Sequence, residues 1–151
     1  MCEDNAAAMG TGETGLKLEN QLCFPLYAAA RKVVNLYTPL FKPLGITYTQ
    51  YLVFMLLWER DGLTVGELCH RLYLDSGTIT PMLKKLADRG LIKRERCTDD
   101  ERVVCIFLTD EGRALKAQAL EIPQRVGCCI HLSPEEAATL YQLLYKVLND
   151  L

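Results

Sequence analysis

The chain has 151 residues, half of them hydrophobic, and 17 basic against 19 acidic side chains for a net charge of −2. That suits one domain with a proper core and excludes a protein coated in positive charge. No apolar run reaches the ~18 residues needed to span a bilayer. The N-terminus shows no basic region followed by an apolar core, so a cytoplasmic protein without membrane contact is the expectation.

Residues 1–15, MCEDNAAAMGTGETG, are small, polar and glycine-rich, the composition of a flexible tail. From Leu16 a helical pattern runs to about Phe41 through Leu22, Leu26, Val33, Leu36 and Leu40. Pro25 interrupts its start, so regular helix is predicted to begin near that residue, with the proline in the first turn. Lys42-Pro43-Leu44-Gly45 is a stop signal. Thr47 with Gln50 forms a capping box that opens a strongly apolar helix from Tyr48 to about Glu59. Asp61-Gly62 then turns the chain.

The stretch Leu63–Thr109 carries the most specific pattern. Thr64 and Glu67 form a second capping box, and Leu68 and Leu72 make an apolar i, i+4 pair. Asp75 or Ser76 caps the next helix, with Ile79, Met82, Leu83 and Leu86 at core spacing and Gly90 as its C′ glycine. Two strand-like runs follow, Leu91–Arg96 and Val103–Leu108, around the charged tip Cys97-Thr98-Asp99-Asp100-Glu101-Arg102. Helix, turn, helix and hairpin is the order of a winged helix-turn-helix DNA reader.

The second helix leaves Ser76, Gly77, Thr78, Thr80, Pro81, Lys84 and Lys85 off its apolar face. Small hydroxyl residues permit close approach to base edges, and lysines reach phosphates. Pro81 lies past the first turn, where it removes a hydrogen bond. In the hairpin, Arg94 and Arg96 crowd the first strand. Arg102 stands at the tip, where an arginine can enter a narrow minor groove, and Asp100 is placed to hold it out. Seven basic residues from Lys84 to Arg102 fall within nineteen positions, so the negative net charge does not exclude DNA binding.

After the hairpin, Thr109-Asp110-Glu111 caps a helix that Pro123 kinks or ends. Ser133-Pro134-Glu135-Glu136 starts a last helix, with Leu140, Leu143 or Leu144, Val147 and Leu148 on one face. A palindromic operator needs two readers ~34 Å apart, and a homodimer built from the apolar helices at both chain ends would supply them.

The seven cysteines read as thiols rather than as a disulfide framework. With no CxxC pair and only His70 and His131, no structural zinc site of ordinary spacing is expected, and no other cofactor. Cys69, Cys97 and Cys105 fall within the reader. Cys23 lies near a helix start, where a cysteine carries more of the nucleophilic thiolate. Taken alone, it reads better as a small buried apolar residue, the usual fate of a lone cysteine.

The segments LENQLCFPLYAAARKVVNLYTPLFKPLGITYTQYLVFMLLWERDGLTV, LYLDSGTITPMLKKL, DDERVV and LTDEGR resemble the MarR family, and most closely its organic-hydroperoxide-sensing, OhrR-type branch. The resemblance covers Leu18 to about Glu121. It implies a mainly α fold with a small β-hairpin wing (α+β): a winged helix-turn-helix at 47–109 flanked by dimerisation helices at 16–46 and 110–151, all one domain. It also implies that Cys23 is the peroxide-reactive thiol and that Tyr37 and Tyr48 hydrogen-bond to it. Some members finish as a mixed disulfide with a small thiol, and others use a resolving cysteine in their fifth-helix region. Cys128 and Cys129 lie in that region, which points to the two-cysteine type, with Cys128 the preferred partner by position. Pro25 and Thr49 depart from the family pattern.

Tyr37 is fourteen residues from Cys23, about 21 Å along a continuous helix, so any Cys23 that Tyr37 touches belongs to the partner subunit. The function expected is a redox-switched repressor, with an organic hydroperoxide as inducer releasing a palindromic double-stranded operator. A MarR-type repressor released by an aromatic ligand is the alternative. An enzyme is not expected: a thiol peroxidase working through Cys23 and Cys128 would leave the basic cluster unexplained.

Overall fold

The structure, a computed structural model, describes residues 12–97 and 100–150. Most of the expected tail, with Cys2, lies outside them. Two short 3-10 turns, Gly12–Leu16 and Leu18–Asn20, precede seven α-helices and a small sheet among the described residues. The helices are α1 (Cys23–Phe41), α2 (Tyr48–Glu59), α3 (Val65–Leu72), α4 (Ser76–Asp88), α5 (Asp110–Ala119), α6 (Ile122–Gly127) and α7 (Pro134–Asp150). The strands are β1 (Leu63–Thr64), β2 (Ile92–Arg96) and β3 (Val104–Leu108).

The helical pattern expected from Leu16 becomes α-helix only at Cys23. Leu22 offers no side-chain cap, and Pro25 falls in the first turn, where an amide has no partner within the helix. Both expected capping boxes form. Thr47 Oγ1 accepts from the Gln50 amide at 3.3 Å while Gln50 Oε1 accepts from the Thr47 amide at 3.0 Å. Thr64 and Glu67 exchange the same pair of bonds at 3.1 and 2.8 Å. Asp75 caps α4, accepting from the Thr78 amide at 2.8 Å and from the Thr78 hydroxyl at 2.8 Å.

The hairpin is part of a three-stranded antiparallel sheet of order β1-β3-β2. Leu63 pairs with Ile106 and Thr64 with Cys105; on the other side Ile92 pairs with Leu108 and Arg96 with Val104. Strand alternation puts Ile92, Ile106 and Leu108 on the core face, all buried. They meet Leu63, Leu68, Ile79, Leu83 and Leu86, each fully enclosed. Met82, expected with them, is only half-buried. Helix α2 is apolar around most of its circumference and buries Tyr51, Val53, Phe54 and Leu57.

One expectation is corrected here. Cys97 and Cys105 are not free thiols but a disulfide, with Cα atoms 5.5 Å apart. The register explains why: Cys105 lies opposite Glu95, two residues before Cys97, so the cysteines are diagonal neighbours on one face of the ladder. Cys23, Cys69, Cys128 and Cys129 are free.

The chain divides into two compact units, one ending at Leu120 and the other beginning at Glu121. In the second, Pro123 sits in the first turn of α6, and Ser133 and Glu136 form a capping box at the start of α7. Every residue of α7 whose side chain is described is exposed, including Leu140, Leu143, Leu144, Val147 and Leu148 on its apolar face.

Candidate functional site

The outward side of α4 is built by its own periodicity. With Ile79, Leu83 and Leu86 turned into the core, Ser76, Gly77, Thr78, Pro81, Lys84 and Lys85 are exposed, and Thr80 is half-buried at the rim. Gly77 is the residue the cap demands, because a Cβ there would stand 2.9 Å from the Asp75 carboxylate oxygen. Thr78 spends its hydroxyl on that carboxylate, which the bond holds below the ordinary range. Pro81 has no amide to give the Gly77 carbonyl, and the helix continues past it to Asp88.

Between the wing and the start of α3 lies an open groove of about 560 Å³, lined by Thr64, Val65 and Gly66 on one side, by Arg94, Arg102, Val103 and Val104 on the other, and by Thr80 of α4. Asp100 grips the Arg102 guanidinium through two bonds of 3.1 Å and also accepts from the Arg102 amide at 2.9 Å. The pairing lowers the Asp100 carboxyl and leaves the Arg102 side chain 90 % exposed. Arg96 donates to the Glu101 carbonyl at 2.8 Å. The structure thus brings Thr80 of α4, Arg94 and Arg102 to one groove.

The base of the wing holds a group that sequence reading missed. Asp61 accepts from the amides of Gly62 at 3.1 Å and Leu108 at 2.8 Å, and pairs with Arg113 at 2.7 Å. Arg113 donates in turn to the Leu108 carbonyl at 3.0 Å. One carboxylate therefore ties the α2–β1 corner, the end of β3 and α5. The Asp-Gly dipeptide signalled a turn; nothing in the local sequence pointed to the two distant partners.

Tyr37 and Tyr48 come together from the end of α1 and the start of α2, with ring centroids 4.8 Å apart. Phe41 and Tyr51 pack around them, 4.8 Å from each other. Burial pushes the Tyr37 and Tyr48 phenols above their usual value, Tyr48 further through its neighbour Tyr37, so both are neutral hydroxyl donors at neutral pH. Next to them runs an open groove of about 600 Å³ lined by Val34, Thr38, Phe41, Ile46, Tyr48 and others. Cys23 is at the opposite end of α1, the first residue of the helix and exposed, with Sγ 3.9 Å from Gln21 Oε1. Since α1 is unbroken, Cys23 and Tyr37 of one chain are about 21 Å apart. Cys128 and Cys129 are exposed in the second unit, where Cys129 Sγ lies 3.5 Å from the Arg125 carbonyl.

Comparison with known proteins agrees with this geometry. The family described as transcriptional regulator SarA/Rot matches residues 35–119. The organic hydroperoxide resistance transcriptional regulator of Bacillus subtilis is 50 % identical over 139 residues, 90 % of this chain and 92 % of the relative. Among solved structures, reduced AbfR of Staphylococcus epidermidis bound to DNA aligns with a TM-score of 0.74 at 38 % identity, covering 88 % of this chain and 93 % of that one. A MarR mutant from E. coli complexed with operator DNA aligns at 0.78 and 30 % identity, over 84 % and 93 %. The chain belongs to the MarR family of winged-helix transcriptional regulators.

Proposed function

We propose that this protein is a dimeric repressor that binds a palindromic double-stranded operator when reduced and lets go when an organic hydroperoxide oxidises Cys23. The observation that carries the reading is the division of α1: an exposed thiol at its first turn and a half-buried pair of tyrosines, Tyr37 and Tyr48, near its end, too far apart to meet within one chain. In a head-to-tail pair of α1 helices, Tyr37 and Tyr48 of one subunit face Cys23 of the other. They orient the incoming hydroperoxide and stabilise the charge that develops on its oxygen. The thiolate takes the terminal oxygen, the alcohol leaves, and the sulfenic acid is captured by Cys128 or Cys129 with loss of water. The apolar stripe of α7 and the exposed Leu22, Phe24, Tyr27 and Leu36 of the N-terminal region form the dimer contact. Ser76, Gly77, Thr78, Thr80, Pro81, Lys84 and Lys85 enter the major groove, while Arg94, Arg96 and Arg102, held by Asp100, follow the phosphates and the minor groove.

DNA names of the relatives support this reading, as does the B. subtilis regulator's name for the inducer. The protein acts in the cytoplasm, and each chain is oxidised once per switching event rather than turning over as an enzyme. The test uses a duplex enriched by the reduced protein from random-sequence DNA. An alkyl hydroperoxide should release wild type and spare Cys23→Ser; release of both overturns the sensor assignment. A second reading rests on the 600 Å³ groove at Tyr48, which has the size and apolar lining for an aromatic ligand. Release of both proteins by phenolic acids, with neither responding to peroxide, would select it.

A further inference from the structure

We propose that Cys97 and Cys105 form a second, intrasubunit redox site, and that its oxidation by a hydroperoxide tightens the grip of the wing on DNA. The inference rests on the DNA-binding reading above and adds a site unconnected with Cys23. The pair is diagonal across the β2–β3 ladder, with Cα atoms 5.5 Å apart, and neither residue is enclosed in the core. The Cys97 amide also bonds to the Val103 carbonyl at 2.9 Å, which holds the two strand ends in register.

Alternation decides what the bond does. Glu95, Cys97 and Cys105 share one face of the ladder; Arg94, Arg96 and Val104 share the other, which opens on the groove between the wing and α3. The sulfurs therefore lie behind the DNA face and occupy none of it. A disulfide there closes a ring around the segment that carries Asp100 and Arg102. Such a ring removes conformations of the free wing that DNA binding would otherwise have to select against. The paired wing keeps the Asp100–Arg102 grip and the Arg94–Arg102 groove intact, so the closed state is compatible with binding.

The chemistry balances with the reagents already invoked. One sulfur, as its thiolate, attacks the terminal peroxide oxygen; the O–O bond breaks and the alcohol leaves with a proton. The second sulfur displaces water from the sulfenic acid, so two thiols lose two electrons and the hydroperoxide becomes alcohol and water. Two small-molecule thiols reopen the bond by exchange and leave as their own disulfide. The two sites then act in opposite senses: Cys23 releases the operator, and the wing pair retains it.

The experiment uses the full chain carrying Cys23→Ser, which removes the sensor thiol, and the duplex enriched by reduced wild type. After an alkyl hydroperoxide, isotope-coded alkylation and mass spectrometry should find Cys97 and Cys105 joined within one chain. The Kd should tighten about three- to tenfold, the range set by ordering one or two side chains before binding. Dithiothreitol should reverse both changes, and adding Cys97→Ser or Cys105→Ser should abolish both. No bond between Cys97 and Cys105, or a bond with unchanged or weakened binding, overturns the proposal. Failure of the reduced protein to enrich any duplex overturns the DNA-binding reading and the wing effect together, while the mass measurement still decides whether the pair is a redox site.

Discussion

Replacing Asp61 tests whether the wing is fixed at its base. The carboxylate is 28 % exposed and its partner Arg113 54 %, so the ion pair belongs to the surface class worth about 0–1 kcal/mol. The bond from the Leu108 amide differs, because Leu108 is buried and no further β1 residue lies opposite it. An orphaned amide there costs about 1–3 kcal/mol. Asp61→Ala removes both interactions and should cost about 2–3 kcal/mol. Asp61→Asn keeps an oxygen for the Gly62 and Leu108 amides and loses the exposed ion pair with Arg113, so it should cost about 1 kcal/mol or less. Urea denaturation at fixed protomer concentration reads the difference as a shift of midpoint at constant slope. Equal losses in the two variants, or a loss below about 0.5 kcal/mol in Asp61→Ala, would refute the claim that the amide depends on this carboxylate.

Gly112→Ala should be more damaging than a helix-interior Gly→Ala normally is, because the new Cβ would lie 2.1 Å from the Leu91 carbonyl oxygen. Moving α5 away also stretches the 3.1 Å bond from Trp58 Nε1 to the Gly112 carbonyl, and about 2–4 kcal/mol should be lost, seen as a fall in Tm of roughly 5 °C or more. Asp75 has its carboxyl lowered by the Thr78 hydroxyl and amide, so its cap contributes above the unfolded value near pH 4 and is lost as pH falls through the lower, folded value. Wild type should therefore exceed Asp75→Asn in stability at neutral pH, with the gap closing below about pH 4; a gap independent of pH would show that charge plays no part in the cap. Leu140→Glu with Leu144→Glu, on the exposed stripe of α7, should shift the protein to monomer in sedimentation and abolish tight operator binding. Persistence of the dimer would remove α7 from the interface.

Local chemistry was legible wherever partners lie within four residues. The boxes at Thr47–Gln50 and Thr64–Glu67, the αL glycine at Gly90 and the pairing of Asp100 with Arg102 all follow from short spacings. Features that need register were not. Strand β1 is two residues long, too short for any alternation, and exists only because Ile106 and Cys105 lie opposite it. The bond between Cys97 and Cys105 depends on the same ladder, since spacing alone gives no reason to prefer those two of seven thiols. At the proposed sensor, the sequence placed Cys23 and Tyr37 on one helix, and α1 is unbroken between them. That Tyr48 packs against Tyr37 depends on how α2 returns against α1, which no spacing along the chain specifies.

The two-residue strand β1 joins two parts that are usually discussed separately. Its backbone pairs with β3 of the wing, and the residue after it begins α3, whose neighbour α4 carries the groove-facing side chains. Helix and wing therefore share one frame and tilt together. A rotation that withdraws α4 from its groove takes Arg102 from its own in the same movement, so a subunit has no stable half-detached posture. In a chain whose Cys97 and Cys105 are replaced by serine, partial oxidation of a population should then change the fraction of operators occupied, not the lifetime of each remaining complex. Single-molecule dwell times would stay constant while occupancy falls.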